Sequence, residues 1–415
     1  MKEQLLGKNY SQSVNLLIFI FPIVIISLQV AGDLVLFILA MMGIFIAISK
    51  KLSPFAIQEI KVFSYLTFGY FLAVCISVLF SGQATALAHF IPRDFHFLFA
   101  PFIALALFKA EININYLLSG IKLGLLFIGL VILYRFEAGY TLPSGVMNSA
   151  VLGNLAVSLF FVILVFFQKE SFKNKAFSLL SLLSGLFIII ASGTRGAWLS
   201  FFLLSGVYLY FLYKQKNNLN IKSKFFIVLI IALIISIPVF SQSFKDRTQS
   251  AYTEITSWVS GDTSATSGVL HKSVSVRLDM YSLAIEKIKD VPFFGHGYRT
   301  SNVVVFEDVK SSSGQLAYTY NHLHNAYLTN YFNGGVILLG ALLLLIFAPL
   351  RIFLKANIQN REDPVFIAGA LLSLGYASFG FVNILFGDTY MNGFYVFFLA
   401  IILLLTIKFI KKPEV

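Results

Sequence analysis

Long apolar runs recur along the whole chain and restrict what it can fold into. Of its 415 residues, 58% are hydrophobic and only 12% are charged, whereas about 25% of the residues of a soluble domain carry charge. About 20 mostly apolar residues in a helix cross the hydrocarbon core of a bilayer, where a helix satisfies its own backbone hydrogen bonds. We therefore predict an all-α polytopic membrane protein.

Twelve apolar runs are candidates for membrane-spanning helices, of which the fourth and the seventh are short. No small-residue cleavage site follows the first run, so we expect the first helix to be retained. The predicted spans are residues 14–31, 34–49, 63–81, 95–109, 116–134, 150–167, 177–192, 197–213, 225–241, 327–349, 364–386 and 392–410. They divide the chain into residues 1–241 with spans one to nine, a long loop over 242–325, and residues 326–415 with spans ten to twelve.

The distribution of lysine and arginine predicts the orientation, because these residues favour cytoplasmic loops. With both termini in the cytoplasm, twenty basic and seven acidic residues lie on the inner side, a net charge of +13. The long outer loop carries eight residues of each sign, and the remaining outer turns have a net charge of −1. The formal net charge of +12 thus reflects topology in membrane lipid, and we expect no nucleic-acid partner.

The long loop has two parts of different character. Residues 242–272 are rich in Ser and Thr, and we expect them to be mobile. From Ser275 onward the pattern predicts an amphipathic helix with Ser275 as its N-cap, which ends before Pro292. Its apolar residues at helical spacing are Leu278, Tyr281, Ile285 and Ile288.

Three ionisable residues are predicted to share one outer level. Arg195 lies in the turn between spans seven and eight, Arg277 in the first turn of the loop helix, and His324 at the outer end of span ten. Any one arginine at the end of a span can simply extend to the lipid headgroups. Together, two permanent cations and a titratable base suit a reaction on a lipid-linked pyrophosphate, since guanidinium groups bind phosphate oxygens and a neutral histidine accepts a proton near pH 7.

Metal chemistry has weaker support in the sequence. His322 and His324 could form half of a metal site, but no cysteine or clear carboxylate pair completes it. The one cysteine, Cys75, lies inside an apolar run. We therefore expect neither a metal nor another cofactor.

The motifs around these residues resemble the O-antigen ligase family and its polymerase relatives. They are residues 192–198 (SGTRGAW) with Arg195, then Arg277 followed by residues 292–297 (PFFGHG), then His324-Asn325 with Gly335 ten residues after the asparagine. The order of the two arginines, the His-Asn pair and the downstream glycine is more specific than any one part. The resemblance covers spans seven to ten and the long loop.

This resemblance implies a GT-C-type, metal-independent glycosyltransferase of the bacterial inner membrane whose site faces the periplasm. The donor would be a glycan on undecaprenyl pyrophosphate, and the acceptor a sugar of the lipid A core in lipopolysaccharide biosynthesis. Arg195 and Arg277 would bind the pyrophosphate leaving group, and His324 would be the general base of an inverting displacement.

Three further residues, Asn325, His322 and Arg299, are candidates for substrate binding. The sequence leaves open whether His322 or His324 is the base, and whether Arg93 or Arg135 joins the site.

Rival functions share part of this description. An O-antigen or capsule polymerase would use the same donor on the same scaffold, and a protein O-oligosaccharyltransferase is a third variant. A lipid-linked oligosaccharide flippase or another transporter is less consistent, because transporters usually carry midplane charges and internal repeats. The predicted spans are almost free of charge, and no internal repeat is visible.

Overall fold

The computed structural model describes residues 2–81, 85–139, 147–214, 242–260, 273–300, 305, 322–359 and 363–410. Within these residues every regular element is a helix, and no strand occurs. The helices are α1 (Lys2–Ile25), α2 (Gln29–Ser49), α3 (Lys61–Leu79), α4 (Thr85–Phe108), α5 (Ile114–Glu137), α6 (Ser149–Phe166), α7 (Phe172–Ala191), α8 (Arg195–Lys214), α9 (Gln242–Ser260), α10 (Ser273–Ile288), α11 (Ala326–Gln359), α12 (Pro364–Phe379) and α13 (Thr389–Ile410).

Eight of the described helices are long and apolar enough to cross a membrane: α2, α3, α5, α6, α7, α8, α11 and α13. Helix α12 is apolar but shorter, with 16 residues. The predicted all-α polytopic membrane architecture is confirmed to this extent. The ninth predicted span, residues 225–241, lies outside the described residues.

Several helices begin at the polar residues that the local sequence provides. The side chains of Asn113 and Asn148 accept hydrogen bonds from the backbone N–H groups two residues ahead, at the starts of α5 and α6. Asp363 caps α12 in the same way and is followed by Pro364. Such caps satisfy backbone donors that have no partner within the helix.

Helices α6, α12 and α13 form the centre of the bundle and are buried over most of their length. Helix α4 packs against α2, α3 and α13, whereas α11 packs against α3 and α12. Two buried hydroxyls in this core have backbone partners: the Tyr376 hydroxyl donates to the Met391 carbonyl (2.7 Å) and the Tyr395 hydroxyl to the Leu345 carbonyl (2.7 Å). The hydroxyls of Ser373 and Thr406 and the amide nitrogen of Asn154 are also buried in these helices, without a hydrogen-bond partner among the described residues.

A charge inside a predicted span is neutralised locally. Lys122 of α5 is 4% exposed, and its Nζ atom donates to Glu170 Oε1 over 2.6 Å. The Ser178 hydroxyl donates to the second oxygen of the same carboxylate. A buried charge is tolerated in an apolar setting when it is paired and hydrogen-bonded in this way.

The long loop differs from the expectation in two respects. Residues Gln242–Ser260, part of the stretch predicted to be mobile, form helix α9. The predicted N-cap at Ser275 is wrong, because α10 begins at Ser273. Glu254, which is fully buried, takes the capping role by accepting the N–H groups of Val274 (2.6 Å) and Ser275 (3.3 Å).

The buried face of α10 agrees with the predicted one only in part, because Ile288 lies in the core and Tyr281 packs against it, whereas Ile285 does not. Ile285 is 54% exposed. The small core under the loop instead contains Val276, Met280, Ala284, Ile288, Val305, Leu323 and Phe332. Because Leu323 lies just before α11 and Phe332 lies in its second turn, this packing fixes the loop helix against the N-terminal end of α11.

Candidate active site

Helix α11 is broken at Gly334 and Gly335. The backbone leaves the helical region at both residues, and the φ angle of Gly335 is +60°. A break of this kind leaves carbonyls before it and an N–H group after it without their partners in the helix. Here the carbonyls belong to Phe332 and Asn333, and the N–H group belongs to Val336.

The turn formed by residues 292–297 supplies the missing partners. The hydrogen bonds run from His296 N to Phe332 O (2.8 Å), from Gly297 N to Asn333 O (2.9 Å) and from Val336 N to Pro292 O (2.9 Å). The His296 ring also stacks on the ring of Phe332, with 4.5 Å between centroids. The 292–297 turn and the break in α11 therefore form one interlocked unit.

Glycine is required where the two parts meet. A Cβ atom on Gly335 would lie 2.2 Å from the carbonyl oxygen of Phe293, and one on Gly295 would lie 2.6 Å from the carbonyl carbon of Asn333. Both glycines have a positive φ, which other residues rarely adopt. The motif glycine that follows the His-Asn pair is thus explained by backbone packing.

The interlocked unit positions Tyr298 and Arg299 so that they face the interior of the helix bundle. The Tyr298 N–H group donates to Ser77 O (2.9 Å), and its hydroxyl donates to Asp94 Oδ2 (2.7 Å). Arg299 follows with a φ of +60°, a conformation that costs energy for a residue with a Cβ and is concentrated at functional sites. Burial lowers the pKa of Arg299, and the neighbouring Arg93 lowers it further, so two guanidinium groups share this region.

The two histidines form a second compact unit before α11. The His324 N–H group donates to His322 Nδ1 (3.1 Å), and the two rings lie 4.2 Å apart between centroids. Leu323 between them is fully buried, and Tyr281 of α10 donates its hydroxyl to the His324 carbonyl (3.2 Å). His324 itself has a φ of +52°. The loop helix therefore holds the histidine backbone in a strained but defined conformation.

Both histidines are uncharged near neutral pH. Burial, followed by the charges of Arg277, Arg299 and Arg93, lowers the pKa of His322 to about 4. Burial, His322 and Arg277 lower the pKa of His324 to about 2. Because Arg277 acts on both rings, the structure brings this predicted site residue and the histidines together.

Asn325 stabilises the start of α11, in addition to any contact that it makes with a substrate. Its amide oxygen accepts the Leu328 N–H group (2.9 Å), which caps the start of α11. The Asn325 amide NH₂ is then the group that it can offer to a substrate. The next residue, Ala326, donates its N–H group to Gly380 O (2.7 Å), so the 380–388 segment between α12 and α13 lies against the His-Asn pair.

Arg195, the first residue of α8, is placed by the same 380–388 segment. A Cβ atom on the adjacent Gly196 would lie 2.4 Å from Val382 Cγ2, so the turn and the segment are in close contact. Trp198 is buried and donates its Nε1–H group to the Ile189 carbonyl (3.0 Å), which ties α8 to the end of α7. Arg195 and His324 consequently reach the same end of the bundle.

Between these units lies a polar cavity of about 190 Å³. It is lined by Tyr70, Val74, Arg93, Asp94, Tyr298, Arg299, His322, Thr329, Asn330, Asn333, Leu338, Ile384, Phe386, Gly387 and Asp388. Its walls come from α3, α4, α11, the loop that follows α10 and the 380–388 segment. We call it the polar cavity below.

The cavity divides the predicted site residues. Arg299 and His322 line it, whereas Arg195, Arg277, His324 and Asn325 do not. Arg93 also lines the cavity, whereas Arg135, in the last turn of α5, does not. Asp94 and Asp388 were not predicted, and the only signal for them was a charged residue at the outer end of an apolar run.

Among the residues that the structure describes, no group of three or more His, Cys, Asp or Glu side chains is arranged to hold a metal ion. His322 and His324 are close together, but no third ligand of these types joins them there. The arrangement instead combines neutral imidazoles with fixed guanidinium charges.

Comparison with known proteins agrees with the motifs. Residues 176–345 match the family model described as O-antigen ligase, which confirms the resemblance over the segment that contains Arg195, Arg277, His324 and Gly335. A protein of Haemophilus influenzae described as uncharacterized is 29% identical over 376 residues, covering 86% of this chain and 88% of that protein. The family match supports a ligase- or polymerase-type function in lipopolysaccharide-related biosynthesis, with a lipid-linked glycan in a membrane setting.

Proposed function

We propose that the chain is an O-antigen ligase, which transfers a glycan from undecaprenyl pyrophosphate to the lipid A core oligosaccharide. The observation that carries this proposal is the pair of neutral, buried histidines beside Arg277 at the start of α11, inside the segment that matches the family model. The reaction takes place at the periplasmic face of the bacterial inner membrane and needs no metal.

The proposed topology has twelve spans, both termini in the cytoplasm and a GT-C-type scaffold. Eleven of the twelve predicted spans overlap a described helix. The contacts around the site support a shared side for these segments, because they join parts of the chain that the charge distribution predicts on one side; the choice of the periplasmic face rests on the charge distribution itself. Examples are Gly196 with Val382, Ala326 with Gly380, and Tyr298 with Ser77.

His324 is the proposed general base. A base must be neutral before it can accept a proton from the attacking hydroxyl, and burial beside His322 and Arg277 keeps His324 in that form. An imidazole with so low a pKa is a weak base in the empty site. The negative charges of a bound pyrophosphate raise its pKa, because an opposite charge nearby favours the imidazolium. Binding of the donor thus raises the pKa of His324 and makes it a stronger base.

Arg277 and Arg195 are the proposed ligands of the leaving group. The Nε atom of Arg277 is buried and has no hydrogen-bond partner among the described residues, so this arginine carries an unsatisfied donor beside the histidines. Guanidinium groups bind such oxygens through two parallel hydrogen bonds. Their charge lowers the barrier most where negative charge grows, on the departing diphosphate.

The chemical step is a single displacement. The acceptor oxygen attacks the anomeric carbon from the side opposite the diphosphate and forms the new glycosidic bond. The bond between that carbon and the diphosphate oxygen breaks, and its electron pair leaves with the undecaprenyl pyrophosphate. The proton of the acceptor hydroxyl moves to His324. One displacement inverts the anomeric configuration.

Reconstitution tests the proposal directly. The purified full-length protein, given lipid-linked glycan and lipid A core, is expected to produce core-linked glycan and free undecaprenyl pyrophosphate. Deletion of the gene separates ligase from polymerase: a ligase mutant accumulates long chains on the lipid carrier, whereas a polymerase mutant leaves single repeat units on the core. The second result would show that the acceptor in this proposal is wrong.

A further inference from the structure

The polar cavity has a balanced charge, unlike a site for a diphosphate. Among its described lining residues are two guanidinium groups, Arg93 and Arg299, and two carboxylates, Asp94 and Asp388, so the formal charges cancel. A diphosphate placed there would meet both carboxylates. A hydroxyl-rich ligand without strong charge can instead use each of these groups, since hydroxyls donate to carboxylates and accept from guanidinium groups.

Buried polar atoms at the cavity lack partners within the described part of the chain. They are Nη1 of Arg299 and Oδ1 of Asn333, and Asn333 is only 7% exposed. Buried polar atoms are nearly always hydrogen-bonded to protein or to another molecule. One donor and one acceptor that belong to lining residues are therefore unsatisfied among the described residues.

His322 adds a donor whose position follows from its hydrogen bond. Its Nδ1 atom accepts the His324 N–H group, so this nitrogen carries no proton. A neutral imidazole has one N–H group, which must then be on Nε2. His322 therefore offers the cavity a hydrogen-bond donor, whereas abstraction of a proton is left to His324.

The size of the cavity restricts the ligand. Its volume of about 190 Å³ is below the roughly 300–1,000 Å³ of pockets that enclose drug-sized ligands. One saccharide ring is in proportion to this space, and an oligosaccharide is not. The aromatic side chains of Tyr70, Tyr298 and Phe386 supply apolar wall for the carbon face of such a ring.

The position of the cavity indicates which of the two substrates, the acceptor or the donor, would occupy it. The His322 ring in its wall lies 4.2 Å from the ring of His324 between centroids, and a base must approach the attacking hydroxyl to about 3 Å. The attacking hydroxyl belongs to the acceptor. Arg195 and Arg277, the proposed ligands of the donor diphosphate, do not line this cavity.

We infer that the polar cavity is the subsite for the acceptor sugar ring, held by Arg93, Arg299, Asp388, Asn333 and the Nε2–H group of His322, so that its hydroxyl reaches His324. This inference rests on the proposed function and specifies which substrate occupies which part of the site.

Two conservative variants test the assignment with the purified full-length protein. Arg299→Lys keeps the charge and loses the planar fork of donors. Asp388→Asn removes a charge while its side-chain oxygen can still accept the Met391 N–H group at the start of α13. Each lost bond to a charged group is expected to raise the KM for the acceptor about tenfold or more. The KM for the donor should stay within twofold.

The matched control is Arg135→Lys, an outer arginine outside the cavity, which should change neither KM. Thermal unfolding of each variant at the wild-type temperature excludes a general loss of structure. An increased KM for the donor with an unchanged KM for the acceptor would overturn the assignment, as would two unchanged KM values.

A binding measurement separates this inference from the proposed function. The probe is the deacylated core oligosaccharide, titrated calorimetrically into the protein without donor. Binding to wild type that is weakened about tenfold or more in Arg299→Lys and Asp388→Asn supports the subsite even if glycan transfer is not observed. Equal binding to wild type and variants, or none to wild type, overturns the subsite whether or not transfer occurs.

Discussion

The two parts of the site differ in how the chain builds them. Arg195, Arg277 and His324 all lie within residues 176–345, the segment that matches the family model. The polar cavity takes Arg93 and Asp388 from outside that segment, from within α4 and from the 380–388 segment. The first part combines fixed positive charge with a base, whereas the second is balanced in charge.

Under the proposed function, this difference corresponds to two physical tasks. A departing diphosphate gains negative charge in the transition state, so cations stabilise it. A sugar ring gains no charge and is recognised by paired donors and acceptors in a defined geometry. His322 joins the two parts, because it lines the cavity and its ring lies against that of His324. Variants in the part that contains the arginines and His324 should therefore differ in their kinetic effects from variants in the polar cavity.

The largest expected effect comes from the base. His324→Ala should lower kcat by roughly 10²–10⁴, the usual contribution of general acid–base catalysis. His322→Ala should cost about tenfold, as for the loss of one hydrogen bond. Initial rates with purified donor and acceptor measure both. If His322→Ala lowered kcat more than His324→Ala, His322 would have to be assigned as the base in place of His324.

The next effect comes from the leaving-group arginines. Arg277→Ala should lower kcat by roughly 10²–10³, because one preorganised electrostatic contact to the developing charge is lost. Arg195→Ala should behave in the same way, with membrane insertion intact. The rate at saturating donor is the decisive measurement. Wild-type rates in both variants would remove these arginines from the mechanism.

A third variant removes the support that both parts share. Gly335→Ala places a Cβ atom 2.2 Å from Phe293 O at a φ of +60°, and should destabilise the protein by about 3 kcal/mol. Gly340→Ala lies on the same helix with no atom within 4 Å of the added Cβ. Thermal unfolding in detergent should show a lower Tm for the first variant only. A similar Tm for both would mean that the break in α11 does not depend on the glycine.

The pH dependence is a smaller and more specific test. Both histidines have a pKa below the ordinary 6.5, about 4 for His322 and about 2 for His324. The acid limb of kcat/KM, which reports the free enzyme, should therefore lie below pH 6. Because the unfolded chain takes up protons near pH 6.5 while the folded one does not, the free energy of unfolding should fall as the pH decreases from about 6.5 to 4. An acid limb near 6.5 would contradict a buried, neutral base.

The smallest expected effect is that of chelation. No metal-binding group is formed by the described His, Cys, Asp and Glu side chains, and the proposed step uses only arginine and histidine. Turnover in excess EDTA should equal that in buffer. A loss that a divalent ion restores would require a metal in the mechanism.

The sequence alone predicted much of the helical scaffold and the family resemblance of the segment that carries the motifs. Apolar runs locate helices reliably, because a helix in lipid must satisfy its own backbone groups. The errors were in the long loop, where α9 forms in a stretch expected to be mobile and Glu254 caps α10 in place of Ser275. Both depend on contacts between helices, which local patterns do not encode.

By itself, then, the sequence determined that the chain is a helical membrane protein and that two arginines and a His-Asn pair lie near the ends of particular helices. Only the tertiary structure decided which of them meet. It showed that Gly335 is needed for the break in α11, that Arg93 and Arg299 line one cavity, and that the His322 Nδ1 atom accepts the backbone N–H group of His324. The physical reason is that a cavity is formed by residues distant in sequence, whose proximity depends on helix packing.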